Sequence, residues 1–229
     1  MDFLNSVWAY FFSSLFFQGA VTTLVLTLVS EFGGIVIGLI LAIAQTTRFQ
    51  PAVTLSRAYI WLFRGTPALL QLIFVYNALP QAGIRFSGLE SAVIALSMNE
   101  GAYMAEIIRS GIEAVSKGQR SAARALGMHE WQVMRYVVLP QAVRVITPPV
   151  GNQFIGMLKL SALVSVIGVT DLLLTAQEVA SANFQYVNTL IAAALYYLIL
   201  TTIFTILQGY AERRMDISRR RKTVVTEYR

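Results

Sequence analysis

The stretch from Val187 to Leu207 reads VNTLIAAALYYLILTTIFTIL and holds no charged residue. A hydrocarbon layer about 30 Å thick is crossed by about 20 helical residues. This segment is therefore long and apolar enough to span a bilayer as one helix. Four more segments of suitable length precede it, at roughly 21–44, 55–79, 89–108 and 137–167. The last of these four exceeds a simple span and contains Pro148-Pro149, so a broken or tilted helix is expected there. In the first, Gly34 and Gly38 form a small-xxx-small pattern that favours close helix packing.

Composition supports the same reading. The chain has 229 residues, of which 56% are hydrophobic and 13% charged, with a mean hydropathy of +0.61. An average soluble domain is about 45–50% apolar and about 25% charged. Too little polar surface is left to cover a soluble globule. A disordered chain and a disulfide-stapled module are excluded on the same grounds. With no Cys, thiolate metal sites and Cys nucleophiles are excluded too. The expectation is an all-α polytopic membrane protein with five transmembrane helices.

The charge has an address. The net charge is +6, and Arg213, Arg214, Arg219, Arg220, Arg221 and Lys222 crowd the C-terminal tail. Lys117, Arg120, Arg124 and Arg135 crowd the loop between the third and fourth segments, and Arg48 follows the first. Arg85 is alone in its loop, and positions 171–187 carry no Lys or Arg. Cytoplasmic loops are enriched in Lys and Arg, so one topology satisfies every loop: N-terminus outside, C-terminus in the cytoplasm. From Ile217 to Thr226 the tail lacks the aromatic groups that would accompany nucleic-acid binding, which is not expected. Residues 1–18 lack the basic start of a signal peptide. Phe3, Leu4, Val7, Trp8, Phe11 and Phe12 recur at helical spacing, as in an amphipathic helix lying at the interface.

The loop at about 111–140 is too long for a simple connector. Its 121–126 stretch, SAARAL, is helix-forming, and Gly127 is a suitable stop; a second helix starts near Glu130. Two short helices would form a knob on the cytoplasmic side. Gly118-Gln119-Arg120-Ser121-Ala122-Ala123, then Gly127, then Leu139-Pro140 after Val137-Val138, is similar to the Glu-Ala-Ala loop of bacterial ABC-importer permeases, with matching spacing. Arg64-Gly65-Thr66-Pro67 with Gln71, Gly101-Ala102-Tyr103-Met104-Ala105-Glu106 with Arg109, and Asn152-Gln153-Phe154 after Pro148-Pro149 resemble the histidine, glutamine and arginine type of polar amino-acid permease. Two positions depart from the family pattern. Ser121 replaces the loop's Glu, and Lys159-Leu160-Ser161-Ala162-Leu163 lacks the acidic residue of the family's Lys-Asp-Thr-Ser-Leu run.

The resemblance implies three regions: an interfacial segment 1–18, a transmembrane domain 19–212 and a basic cytoplasmic tail 213–229. It implies a multi-pass permease of a bacterial inner membrane, importing a polar amino acid, cationic ones included, or a derivative such as an opine. It further implies partners: an ABC ATPase dimer, a second permease chain, an extracytoplasmic solute-binding protein, the amino-acid substrate and lipid. The ATPase would dock on Gly118, Gln119, Ser121, Ala122, Ala123, Gly127, Leu139 and Pro140. No Gly is followed by Lys, so the chain has no phosphate-cradling loop; ATP and Mg would belong to the ATPase. No cofactor, metal set or catalytic role is expected on this chain.

Intramembrane charge is expensive and marks pathways or paired structure. Glu31, Arg64, Glu100, Glu106 and Lys159 lie in or near the spans. Together with the family motifs they place the substrate pathway at Arg64, Thr66, Gln71, Asn99, Glu100, Tyr103, Lys159 and Ser161. Glu100 is the candidate receiver of a cationic group; pairing with Lys159 is its structural alternative. Glu106 and Arg109, at i,i+3, are expected to pair, and a Glu106–Lys159 pair is also possible. Asp171, Gln177 and Glu178 read as a solvated turn. The competing functions are a secondary amino-acid carrier or channel, which does not account for the knob; a membrane enzyme, which lacks a catalytic set; and a docking subunit without a path of its own.

Overall fold

The computed structural model describes residues 3–215. They form a bundle of helices: Phe3–Phe11 (α1), Ser14–Thr46 (α2), Gln50–Gly65 (α3), Ala68–Ile73 (α4), Gly88–Glu113 (α5), Lys117–Ala125 (α6), Glu130–Gln132 (α7), Leu139–Leu160 (α8), Leu172–Asn183 (α9) and Tyr186–Met215 (α10). Wider π turns at Phe74–Ala78 and Val133–Val138 carry the chain out of α4 and from α7 into α8. Most of the tail, including Arg219–Lys222, lies outside the described residues.

Among the described residues, three helical stretches are long and apolar enough to cross a membrane: Ser14–Thr46, Glu130–Ile167 and Tyr186–Met215. Gln50–Gly65 and Ala68–Ala82 qualify as a pair and make a fourth if counted together. By length and apolarity alone, the expected count of five spans is therefore not confirmed. The missing one, α5, is a helix of 26 residues, but Ser91, Ser97, Asn99 and Glu100 on it are buried. A helix enclosed by its neighbours has no need of an apolar surface. Its partner is α2, and the two share the most extensive contact in the fold. That approach depends on glycine: a Cβ at Gly38 would lie 2.4 Å from Met104 Cβ, and one at Gly34 would lie 2.6 Å from Glu100 Cβ. The small-xxx-small pattern thus packs α2 on α5 inside the chain.

The second expected span is not one straight helix. The α3 and α4 stretches meet at 105°. Pro67 disfavours the helical region for Thr66, which adopts φ −118°, ψ 148°. Conversely, α8 runs unbroken through Pro148-Pro149, so of the two expected outcomes, a break or a tilt, the break does not occur. Each Pro removes one backbone bond, and its fixed φ remains compatible with a helix. The carbonyls so freed are those of Arg144 and Val145, four residues earlier; Gln208 of α10 adds a bond to the Pro148 carbonyl itself at 3.1 Å.

At one end, α1 lays Val7 and Phe11 against α10, where the Tyr196 hydroxyl donates to the Phe11 carbonyl at 2.8 Å. Its Phe3, Leu4 and Trp8, and Phe12 just beyond it, remain exposed. The helix stops before Ser13, which caps α2. Asp171 is not part of a solvated turn. It is fully buried, caps α9 by accepting the Leu174 amide at 2.9 Å, and accepts the Tyr197 hydroxyl at 3.4 Å. A buried carboxylate survives there because donors from two elements meet it.

Candidate transport site and coupling knob

The break between α3 and α4 strands backbone carbonyls at the level where α5 carries Asn99 and Glu100. Gln71 repairs that break. Its amide donates to the carbonyls of Phe63 at 2.9 Å and Thr66 at 3.1 Å and to the Thr66 hydroxyl at 2.9 Å. Its own oxygen accepts from the Asn99 amide at 3.0 Å. The elbow is thereby tied to α5.

Beside this tie lies a cavity of about 430 Å³ lined by Thr66, Pro67, Asn99, Glu100, Tyr103 and, from α8, Gln153 and Gly156. Glu100 is 2% exposed. Its carboxylate accepts from the Gln153 amide at 3.1 and 3.4 Å, a neutral partner that leaves the acid without a counter-cation. Glu31, three residues before Gly34 on the same α2 face, is also buried, and neither of its carboxylate oxygens has a hydrogen-bond partner among the described residues. Two acids thus share the α2–α5 seam near the cavity.

One helical turn further along α5, the Arg64 guanidinium sits 5.4 Å over the Tyr103 ring and 3.5 Å from the Glu106 carboxylate. Glu106 also accepts two bonds of 3.1 Å from Arg109, and Arg109 reaches Glu113 at 2.8 Å. The expected Glu106–Arg109 pair is formed. Glu106, Arg109 and Glu113 line a second, more polar cavity of about 320 Å³ with Gln45, Thr46 and Arg57.

Six of the expected pathway residues therefore come together: Arg64, Thr66, Gln71, Asn99, Glu100 and Tyr103. Two do not. Lys159 is exposed and pairs with neither Glu100 nor Glu106. Ser161 is fully buried, with its hydroxyl turned back to the Leu158 carbonyl at 2.9 Å. The reason is helical phase. The cavity face of α8 runs through Gln153, Gly156 and Leu160, and Lys159 stands one residue off that line. Gln153 was passed over because it carries no charge, although it lies in a motif quoted above.

The loop at 111–140 folds as a knob with its own small core of Val115, Ala123, Val133 and Val138. Ser116 caps α6 by accepting the Gln119 amide at 3.3 Å. Gly127 ends it at φ +80°, a left-handed conformation that Gly adopts freely. Gly118, Gln119, Ser121, Ala122 and Gly127 face outward, Ala123 faces the knob's core, and Leu139 and Pro140 begin α8. Leu126 is 83% exposed at the tip. Arg124 clasps Glu130 at 2.6 and 3.1 Å and holds its carboxyl below the usual range.

Apolar helices around a polar cavity, with a self-supporting knob at one end, define the membrane domain of a transport system. Residues 34–217 match the family described as the binding-protein-dependent transport system inner membrane component, and the chain belongs to it. It is 39% identical over 199 residues to the arginine transport system permease protein ArtQ of Bacillus subtilis, covering 86% of this chain and 91% of that one. It is 39% identical over 205 residues to the glutamine transport system permease protein GlnP of Escherichia coli K12, covering 89% and 94%. Among solved structures, an amino acid ABC transporter with histidines superposes with a TM-score of 0.87 at 42% identity, covering 93% of this chain and 99% of that one. An inward-facing MetNI methionine ABC transporter shares the fold, with a TM-score of 0.75 at 22% identity, over 88% and 96%.

Proposed function

We propose that this chain is the permease subunit of an ATP-driven importer for a polar amino acid with a cationic group, or a derivative such as an opine. The observation that carries the reading is Glu100, a buried carboxylate facing a cavity with only the neutral Gln153 as partner. A charge so placed is costly and marks a pathway, and a substrate ammonium or guanidinium would offset that cost. Thr66, Asn99 and Tyr103 supply further hydrogen-bonding groups around the same space.

Coupling runs through residues 118–140. The exposed Gly118, Gln119, Ser121 and Ala122 with Gly127 form the surface on which a separate ABC ATPase docks, and Leu139 and Pro140 join that surface to α8. ATP and Mg belong to the ATPase, and this chain has no catalytic role. Closure of the ATPase dimer would move the knob and rock the bundle between two states, each favoured by a different ligand. A second permease chain completes the pore and an extracytoplasmic solute-binding protein feeds it. The basic knob and tail lie in the cytoplasm of a bacterial cell and the N-terminus outside its inner membrane.

Reconstitution into proteoliposomes with the ATPase and binding protein tests this. Arginine or glutamine uptake should require ATP. Glu100→Gln should lower uptake of a cationic amino acid about tenfold relative to a neutral one, the equivalent of about 1.4 kcal/mol. Unchanged preference would remove Glu100 from the pathway, and ATP-independent uptake would favour a secondary carrier.

A further inference from the structure

The Arg64 guanidinium is the least satisfied basic group in contact with the cavity's lining. It carries five N–H donors in a planar fork, yet among the described residues it makes no hydrogen bond. Its two contacts are the ring of Tyr103 at 5.4 Å and an ion pair of 3.5 Å with Glu106. Arg109, one turn along α5 from Glu106, makes three hydrogen bonds to carboxylates by comparison. Glu106 does not depend on Arg64, because Arg109 already grips both of its oxygens. Releasing Arg64 therefore leaves no orphaned acid behind. The Arg64 side chain is 43% exposed, and its guanidinium is stacked on a residue that lines the cavity.

A planar, bidentate donor that lacks an acceptor fits a carboxylate better than any other common group. We propose that Arg64 receives the α-carboxylate of the transported amino acid, and that Glu106 and Tyr103 hold it poised at the cavity's edge. This rests on the amino-acid reading above and adds to it the group by which the permease itself tells an amino acid from an amine. Glu100 and Arg64 then form the two poles of the site, an acid toward one end and a base toward the other. They are joined by Tyr103, which stands one helical turn from Glu100. Arg64 would move from Glu106 to the substrate and back, a short swing of one side chain that exchanges one carboxylate for another.

The test uses the assembled permease–ATPase complex in detergent, without the binding protein, so that recognition by the permease is read directly. Equilibrium dialysis compares radiolabelled L-arginine with agmatine, which keeps the guanidinium and lacks the carboxylate. Arg64→Gln should weaken L-arginine binding roughly tenfold or more, the size of a charge-assisted hydrogen bond, and leave agmatine unchanged. Arg64→Lys should restore part of the loss. Glu106→Gln weakens the competing carboxylate and should tighten L-arginine binding a few-fold, an opposite sign that damage to folding would not produce. An unchanged ratio of L-arginine to agmatine affinity in Arg64→Gln overturns the proposal. So does equal binding of the two ligands by the unaltered complex, or its failure to bind L-arginine. ATP-dependent uptake by the full system, measured alongside, separates a failure of this role from a failure of the importer reading.

Discussion

Substitution of Gly38 by Ala is the most direct probe of the α2–α5 seam. The added methyl would sit 2.4 Å from Met104 Cβ, 2.8 Å from the Ala105 amide nitrogen and 2.9 Å from the Met104 carbonyl carbon. An ordinary contact is about 3.5–4.0 Å, so the shortfall is about 1 Å, and two of the three opposing atoms are backbone. No rotamer change relieves it; the helices must part. Overpacking of this kind costs about 1–3 kcal/mol, and a backbone clash belongs at the upper end. Ala also favours a helix over Gly by about 0.8–1.0 kcal/mol, which masks part of the loss. Gly209→Ala in α10 supplies the control, because a Cβ there meets nothing within 4 Å. Subtracting one variant from the other cancels the propensity gain. At about 2–4 °C per kcal/mol for a chain of this size, Gly38→Ala should melt roughly 2–12 °C below Gly209→Ala, read from tryptophan fluorescence of the purified complex. Equal melting temperatures would refute the close approach of α2 and α5.

Gln71→Leu strands Asn99 and the Phe63 and Thr66 carbonyls; at about 1–3 kcal/mol for a buried group left unpaired, it should lower Tm by several degrees. Asn99→Leu added to it should cost less than the sum of the two single changes, the mark of a shared contact; additive losses would argue against the tie. Gly127→Asp should leave Tm nearly unchanged, since Asp tolerates the left-handed region better than most residues, yet abolish ATP-dependent uptake by placing a charge on the knob's docking face. Gly127→Asn separates charge from conformation, and normal uptake by Gly127→Asp would take the knob out of the mechanism.

Sequence carried the architecture where a single local rule decided it. Val187 to Leu207 could be nothing but an apolar helix, and Gly127 could only end one. It failed where neighbours overruled the rule. The α5 helix was expected as an apolar span from its length, but its Ser, Asn and Glu residues are tolerable because α2 encloses them. The Pro pair suggested a broken or tilted helix, and α8 continues past it unbroken, because the fixed φ of Pro is itself helical. In the site, charged and motif residues on α3 and α5 were found because expensive groups announce themselves. Gln153 escaped notice for the converse reason, and Lys159 was misplaced because helical phase, which a span's bounds do not reveal, turns it away from the cavity. Asp171 looked solvated because, beside the local capping bond from the Leu174 amide, it is met by the Tyr197 hydroxyl of α10, whose approach no local pattern encodes.

The stretch Glu130–Ile167 forms one helical run of 38 residues, beginning in the knob and passing the cavity at Gln153. From Glu130 to Gln153 is about 35 Å at 1.5 Å per residue. The π turns at Val133–Val138 set the angular phase between the two ends. The knob and the cavity wall are thus the two ends of a single shaft: under the proposed docking of an ATPase on the knob, a tilt or twist imposed there would arrive at Gln153 as a rotation of the amide that holds Glu100. The orientation of the carboxylate is indexed, through one rigid element, to whatever grips the knob.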